Sequence, residues 1–233
     1  MELEKDAVYL VNKPFGKTSF FVVYLIRKLL GKHFGSKLKV GHAGTLDPRA
    51  TGLLIICTGK KTKEIDSFVG LDKSYSGEIY LGQTRIGYDA EGEIIEEKSI
   101  EHLSHSDILK EIPNFIGKIM QTPPIYSALK VDGERAYDLA RKGIDVKMEA
   151  REINIHAFEI TNINGPLVSF KVDCSKGTYI RSLAFDLGAN LGVGAHLHSL
   201  VRTKIGNYKL EDAWDFEELV TFIRSKGNKN VSS

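Results

Sequence analysis

Val40-Gly41-His42-Ala43-Gly44-Thr45-Leu46-Asp47-Pro48-Arg49-Ala50-Thr51-Gly52 decides how the rest of the chain is read. Glycine, proline and threonine recur along it often enough to make it a loop by composition. It runs directly into Leu53-Leu54-Ile55-Ile56-Cys57, an apolar run of buried-strand length. His42, Asp47 and Arg49 are therefore held at the mouth of a rigid element, where loop-borne chemistry tends to sit. Pro48 fixes its own φ and biases Asp47 toward an extended backbone, so covalent geometry partly sets the direction of the carboxylate. Taken alone, Asp47 could equally close an Asx-type turn.

Upstream, Ala7 to Val11 reads as a short strand ending in the turn Asn12-Lys13-Pro14-Phe15-Gly16. Thr18 or Ser19 caps a helix through Phe21, Val22, Leu25, Ile26 and Leu29 that stops near Gly31. Downstream of the Leu53 strand a short Lys-rich helix reaches Phe68. Ser74 to Gly82 then alternates by two as a half-buried strand, and the turn Gly87 to Gly92 leads to a returning strand at Ile94-Ile95. Ser106 or Asp107 starts a helix toward Ile116, disturbed by Pro113. Two prolines break Gln121 to Lys130, yet Ile125, Tyr126 and Leu129 are too apolar for an idle linker. With a short helix at Ala136 to Arg141, residues 121–143 read as an inserted arm that folds over a partner.

Arg151 to Ile163 and Pro166 to Cys174 pair around Asn164-Gly165, a strong hairpin dipeptide. Thr178 is the expected N-cap of a helix over Tyr179 to Gly188, which puts Tyr179 and Arg181 in its first turn. A strand over Ala195 to Tyr208 and an amphipathic helix over Asp212 to Arg224 follow, with a frayed tail from Ser225. Strands with irregularly interspersed helices give an α+β class: a mixed, mainly antiparallel sheet flanked by helices.

The chain has a net charge of only +2, which announces no partner by itself. Its distribution is more telling. Arg27, Lys28, Lys32, His33, Lys37 and Lys39 crowd the approach to the Asp47 loop, and Lys60, Lys61 and Lys63 follow the strand leaving it. Acidic residues gather instead at Glu91 to Glu97 and Glu211 to Glu218. That is a footprint for a polyanion, although a solvated helix face has the same appearance. Cys57 and Cys174 lie far apart in apolar runs, as buried hydrophobes of a reducing compartment do. With no leader-like start and no apolar run of bilayer length, a cytoplasmic location is expected.

Arg181 sits near a helix start, where a cation opposes the helix dipole. Facing Asp47, it would keep that carboxylate ionised for nucleophilic work; facing solvent, it would do nothing. Tyr75 is either a core aromatic or a face on which a nucleobase stacks. His42 either packs the turn or acts as a hydrogen-bonding wedge. His42, Asp47, His196 and His198 lack the spacing of a metal site, so no metal is expected.

Gly41 to Gly52 resembles the signature loop of the TruB family of tRNA pseudouridine-55 synthases. Asn12-Lys13-Pro14 resembles that family's Lys-Pro box, and Lys73-x-Tyr75 its tyrosine strand. Gln121-x-Pro123-Pro124-x-Tyr126-Ser127-Ala128-Leu129-Lys130-Val131-x-Gly133-x-Arg135-Ala136-Tyr137 resembles its insertion. Cys174-Ser175-Lys176-Gly177-Thr178-Tyr179-Ile180-Arg181-Ser182-Leu183 resembles its arginine motif. The matches keep the family order over about the first 205 residues.

The resemblance implies isomerisation of uridine 55 in the T arm of tRNA, with Asp47 as nucleophile, Arg181 as its ion-pair partner and Tyr75 stacking on the flipped base as candidate acceptor of the C5 proton. It also implies that His42 supports the everted nucleotides, that Tyr179 and Leu200 line the pocket, and that Lys13, Tyr126 and Lys130 contact substrate. The 121–143 arm would clamp the T-arm stem-loop. No cofactor is implied, and the protein is expected to be a monomer with a catalytic domain over 1–210 and a C-terminal helix and tail over 211–233. Two departures stand out. Arg85-Ile86-Gly87-Tyr88-Asp89 keeps the Asp of the family's Thr-x-Thr-x-Asp but not its threonines, and the chain stops where many relatives continue into a PUA-type domain.

The chemistry agrees with this from the residues upward. Exchanging an N-glycosidic for a C-glycosidic bond needs no redox centre or energy donor, and the target base must leave its stack to be reached. The competing expectations are a non-catalytic RNA-binding or tRNA-folding module, and a retaining glycosidase. The glycosidase lacks a second carboxylate among the motif residues.

Overall fold

The computed structural model describes residues 2–227 except 128, 132 and 145, and only the backbone at 130, 131, 135 and 141. The chain forms two compact units, one built from residues up to Tyr75 and from Leu200 onward, the other from Ser76–Ser199.

The first unit is organised around the apolar run after the Asp47 loop, which is the strand Thr51–Thr58, buried along nearly its whole length. One edge pairs antiparallel with Val8–Lys13, from Val8 opposite Cys57 to Lys13 opposite Gly52. Its other edge is shared by Val40–His42, antiparallel, and by Val201 and Arg202, parallel to Thr51 and Gly52. Trp214–Asp215 runs parallel to Val11 and Asn12 on the far side. Because side chains alternate across a strand, Leu54 and Ile56 point one way and Leu53, Ile55 and Cys57 the other, and both faces are covered. The first face meets Val22, Val23, Ile26 and Leu30 of the helix Ser19–His33 and Phe216, Leu219, Val220 and Ile223 of the helix Phe216–Gly227. The second meets Ala43, Phe68 and Ile205. That double burial is why the run reads as continuous rather than alternating, and each fully buried Leu or Ile contributes about 1.5–3 kcal/mol.

Gly52, second in this strand, has φ +102°, and a Cβ there would lie within 2.6 Å of the Arg202 backbone N and closer still to its carbonyl. A side chain has neither the dihedral nor the space. Gly52→Ala is expected to destabilise the protein by about 3 kcal/mol or more, read as a lowered thermal midpoint. An unchanged midpoint would show that the strands can part there without cost.

In the second unit, Arg151–Asn164 pairs antiparallel with Leu167–Cys174 through the Asn164-Gly165 turn and with Gly117–Gln121 on its other edge. Antiparallel pairing also joins Gln83–Arg85 to Ile94–Glu97, whereas Val11–Asn12, Val201–Arg202 and a single bridge between Asp89 and Leu197 are parallel. The arm folds on itself: Lys130–Val131 pairs with Glu134–Arg135, and Ala136 N–H donates to Leu129 O at 2.7 Å before the helix Ala136–Arg141.

Four element boundaries differ from the sequence expectations. The Ser19–His33 helix continues two residues past Gly31. The third helix begins at His105, because Ser104 and Asp107 form a reciprocal capping box two residues earlier than the expected start. Thr178 does not cap the Ile180–Asn190 helix: its hydroxyl donates to Ser175 O, and the N-cap position is Tyr179. The helix expected over Asp212 to Arg224 runs over Phe216–Gly227, and of the expected tail only what precedes 228 lies within the described residues.

Candidate active site

Within the first unit the Asp47 loop is fastened on both sides by groups that are themselves buried. Ser19, 2 % exposed, accepts from Leu46 N–H at 2.9 Å and donates to Leu46 O at 3.0 Å, clamping the residue before Asp47. Pro48, the residue after it, offers its carbonyl to Gly16 N–H at 2.9 Å and to Lys13 Nζ at 3.1 Å. Arg202, 2 % exposed, donates from Nη2 to Gly44 O at 3.0 Å and from Nε to Leu53 O at 2.8 Å, which ties the two ends of the loop together. Asn12 Oδ1 accepts from Gly52 N–H at 3.2 Å. The turn itself is closed by main chain, with Ala50 N–H donating to Asp47 O at 3.1 Å. Asp47 thus sits half-buried on a backbone with little freedom.

Lys13 was expected among the substrate contacts, and the structure assigns it another task. It is fully buried, and its ammonium donates to the carbonyls of Pro14, Lys17 and Pro48, leaving it a strut beneath the loop. Burial pushes its pKa down to about 8; Asp47 acts in the opposite direction and Arg202 adds to the lowering. His42 ends the Val40–His42 strand. Burial, and then Arg202, lower its pKa below the ordinary histidine value, so the ring is predominantly neutral at pH 7, with the backbone at Gly44 opposing the shift. Its Nδ1 is buried and makes no hydrogen bond among the described residues. Leu200 and Tyr75 are half-buried in this unit, Tyr75 on the strand Lys73–Leu81. The basic approach also has a shape. Arg27, Lys28, Lys37 and Lys39 line a cleft of about 850 Å³ floored by Leu38, Val40 and Ile65. Lys61 pairs with Glu64 at 2.7 Å on the surface.

In the second unit Arg181 does not point to solvent. It is 7 % exposed, with Nη2 donating to Tyr126 O at 2.9 Å, Nη1 to Gly87 O at 3.2 Å, and Nη1 lying 3.6 Å from the Asp89 carboxylate. One guanidinium therefore gathers the root of the arm and the Gly87–Asp89 turn. Gln121 clasps Tyr179, two residues before Arg181, accepting from Tyr179 N–H at 2.8 Å and donating to Tyr179 O at 3.1 Å. Ser182 donates to Thr122 O at 2.7 Å. Tyr88, between Gly87 and Asp89, is held at φ +65° and stacks on Phe185 with ring centroids 4.1 Å apart. That contact offsets an otherwise unfavourable backbone conformation. The side chain of Lys130 lies outside the described residues.

Ser19, Arg202 and Gln121 were not singled out by sequence. Ser19 had been weighed only as a cap, and nothing local marks an arginine in a strand or a glutamine at a strand end as a fastener. Among the described residues no cluster of His, Cys, Asp or Glu is placed to hold a metal, and no helix is long and apolar enough to cross a membrane.

Residues 27–180 match the family model described as TruB family pseudouridylate synthase (N terminal domain), and residues 181–231 match the tRNA pseudouridylate synthase B C-terminal domain. The chain is 49 % identical over 222 residues to the tRNA pseudouridine synthase B of Flavobacterium johnsoniae, covering 93 % of this chain and 97 % of that one. It is 47 % identical to the protein of the same name from Phocaeicola vulgatus, covering 96 % and 95 %. Among solved structures, a Cbf5-Nop10-Gar1 complex matches with a TM-score of 0.71 at 28 % identity, covering 96 % of this chain. An H/ACA RNP bound to a substrate RNA containing 2'-deoxyuridine matches at 0.70 and 26 % identity, covering 97 %. This chain spans 59 % and 56 % of the lengths of those two solved chains.

Proposed function

The chain belongs to the TruB family of pseudouridylate synthases, and from that premise we propose that it acts at uridine 55 in the T arm of tRNA with Asp47 as its nucleophile. It is an enzyme that isomerises uridine to pseudouridine in tRNA. The N1–C1′ bond breaks and a C5–C1′ bond forms, C5 loses a proton and N1 gains one, so the atoms balance without a co-reactant.

The observation that carries the assignment to Asp47 is the fastening of its loop. Ser19, Lys13 and Arg202 hold the main chain on both sides of one carboxylate, a preorganisation that a turn-closing Asp would not need. Arg181 is the proposed cation that keeps the carboxylate charged in the RNA complex. Tyr75 is proposed to stack on the everted base and to take the C5 proton, with His42, Tyr179 and Leu200 bounding the pyrimidine. The arm over 121–143, with Tyr126 and Lys130, grips the stem-loop, and a monomer suffices for all of this. RNA loops are recognised by shape, stacking and phosphate contacts, which suits aromatics interleaved with cations.

The test is a T-arm stem-loop tritiated at C5 of each uridine in turn. Tritium release from position 55, in proportion to pseudouridine formed there, is expected. Release from another position alone would move the assignment elsewhere. Triple alanine substitution at Lys60, Lys61 and Lys63 is expected to weaken RNA binding about tenfold or more at physiological salt and to flatten its salt dependence, with single-turnover rates at saturation unchanged. An unaltered salt slope would remove these lysines from the RNA path.

A further inference from the structure

The turn between Lys13 and Lys17 is bolted to the Asp47 loop, yet its side chain at the tip is left in water. Phe15 is 60 % exposed, far more than packing requires of a phenylalanine. The neighbouring Gly16 N–H and the Lys13 ammonium both hold Pro48 O, so the turn and the loop form one rigid piece. From the loop side Arg49, itself exposed, places its guanidinium carbon 5.3 Å from the centroid of the Phe15 ring. No carboxylate pairs with Arg49 among the described residues. The pattern continues along the first helix, where Lys17 lies 5.0 Å over the Phe21 ring and Phe20 and Tyr24 are also exposed.

We propose that Phe15 and Arg49 form a lip that takes an unstacked nucleotide of the RNA substrate flanking the reacting uridine, the base against the phenyl ring and the phosphate at the guanidinium. The inference rests on the RNA-modifying reading above and adds two substrate contacts to it. An aromatic face and an arginine plane are the two protein surfaces on which unpaired bases stack. Arg49 follows Asp47 by two residues, so a nucleotide seated on it is a near neighbour of the one presented to the carboxylate. Eversion of a uridine unstacks its neighbours, and a platform on the rigid loop recovers the stacking they lose. The local charge agrees, because Lys17 and Arg49 each set a cation against an aromatic ring of this surface.

Binding measured with Asp47→Asn protein and turnover measured with the parent separate this contact from the chemistry. Phe15→Ala is expected to raise both Kd and KM for a T-arm stem-loop about tenfold, with saturated single-turnover rates unchanged within about twofold. Phe15→Trp is expected to restore binding and Phe15→Leu is not, because stacking rather than apolar area is at stake. Arg49→Ala is expected to reduce the slope of log K against log salt by about one. Because Phe15 is exposed, thermal midpoints of these variants should match the parent and exclude a folding defect. Unchanged Kd in Phe15→Ala, the result expected if the patch docks a protein instead, overturns the proposal while leaving the reaction assignment intact. A parent protein that neither binds nor converts the stem-loop overturns the RNA-modifying reading itself, and this contact with it.

Discussion

Asp47→Asn is expected to lose turnover by about 10⁴-fold or more while RNA affinity stays within about threefold of the parent. The substitution is close to isosteric, so the loop held by Ser19, Lys13 and Arg202 has no reason to move. What disappears is the negative charge, and a neutral amide cannot act as a nucleophile here. The loss also has an electrostatic signature outside catalysis. Lys13 titrates at about 8 in the native state against 10.5 for an unperturbed lysine, and Asp47 is the neighbour that holds it up. Between those values the unfolded chain carries the extra proton, so native stability rises with pH across that window. Without Asp47 the native value of Lys13 falls further, and the rise in thermal midpoint begins at a lower pH. Full turnover in the Asn variant would end the assignment of Asp47. An unshifted stability profile would show that its carboxylate and the Lys13 ammonium do not sense one another.

The part of this site that was legible in the sequence is the part built from local rules. Gly-rich composition ahead of an apolar run marks a constrained loop entering a buried strand, and Asn164-Gly165 between alternating segments marks a hairpin, since both signals live within a few residues. The fasteners were not legible because their bonds are long-range. Arg202 reaches carbonyls 149 and 158 residues away, and Ser19 one that is 27 away. Lys13 illustrates the same difficulty from the other side. A lysine in a turn reads as a free cation, and only the folded backbone shows three carbonyls converging on its ammonium. Thr178 fails as a cap for a local reason: its hydroxyl closes a turn onto Ser175 O, a competing bond that threonine is prone to make. In this chain the constrained loop was written locally, and its rigidity was written in contacts that no spacing rule reports.

Arg181→Lys is expected to lower kcat/KM by about 10²-fold or more, although charge is kept. The guanidinium presents donors in a plane, and here two terminal nitrogens serve three acceptors: Tyr126 O, Gly87 O and the Asp89 carboxylate. A single ammonium on a shorter stem cannot span them, so either the arm root at Tyr126 or the Gly87–Asp89 turn is released. Its forked geometry is also what the proposed pairing with the nucleophile requires. Arg181→Met should be worse, costing about 1–3 kcal/mol of stability, since the carbonyls of Tyr126 and Gly87 lose their donor and the half-buried Asp89 loses a nearby cation. The control that separates the two roles is Asp89→Asn. If Arg181 only fastens the second unit, Asp89→Asn should mimic Arg181→Lys in both thermal midpoint and rate. If Arg181 also serves the reacting carboxylate, Asp89→Asn should lose far less single-turnover rate than Arg181→Lys at a comparable loss of thermal midpoint. A near-normal rate in Arg181→Lys would refute a catalytic pairing and leave Arg181 as a structural clamp.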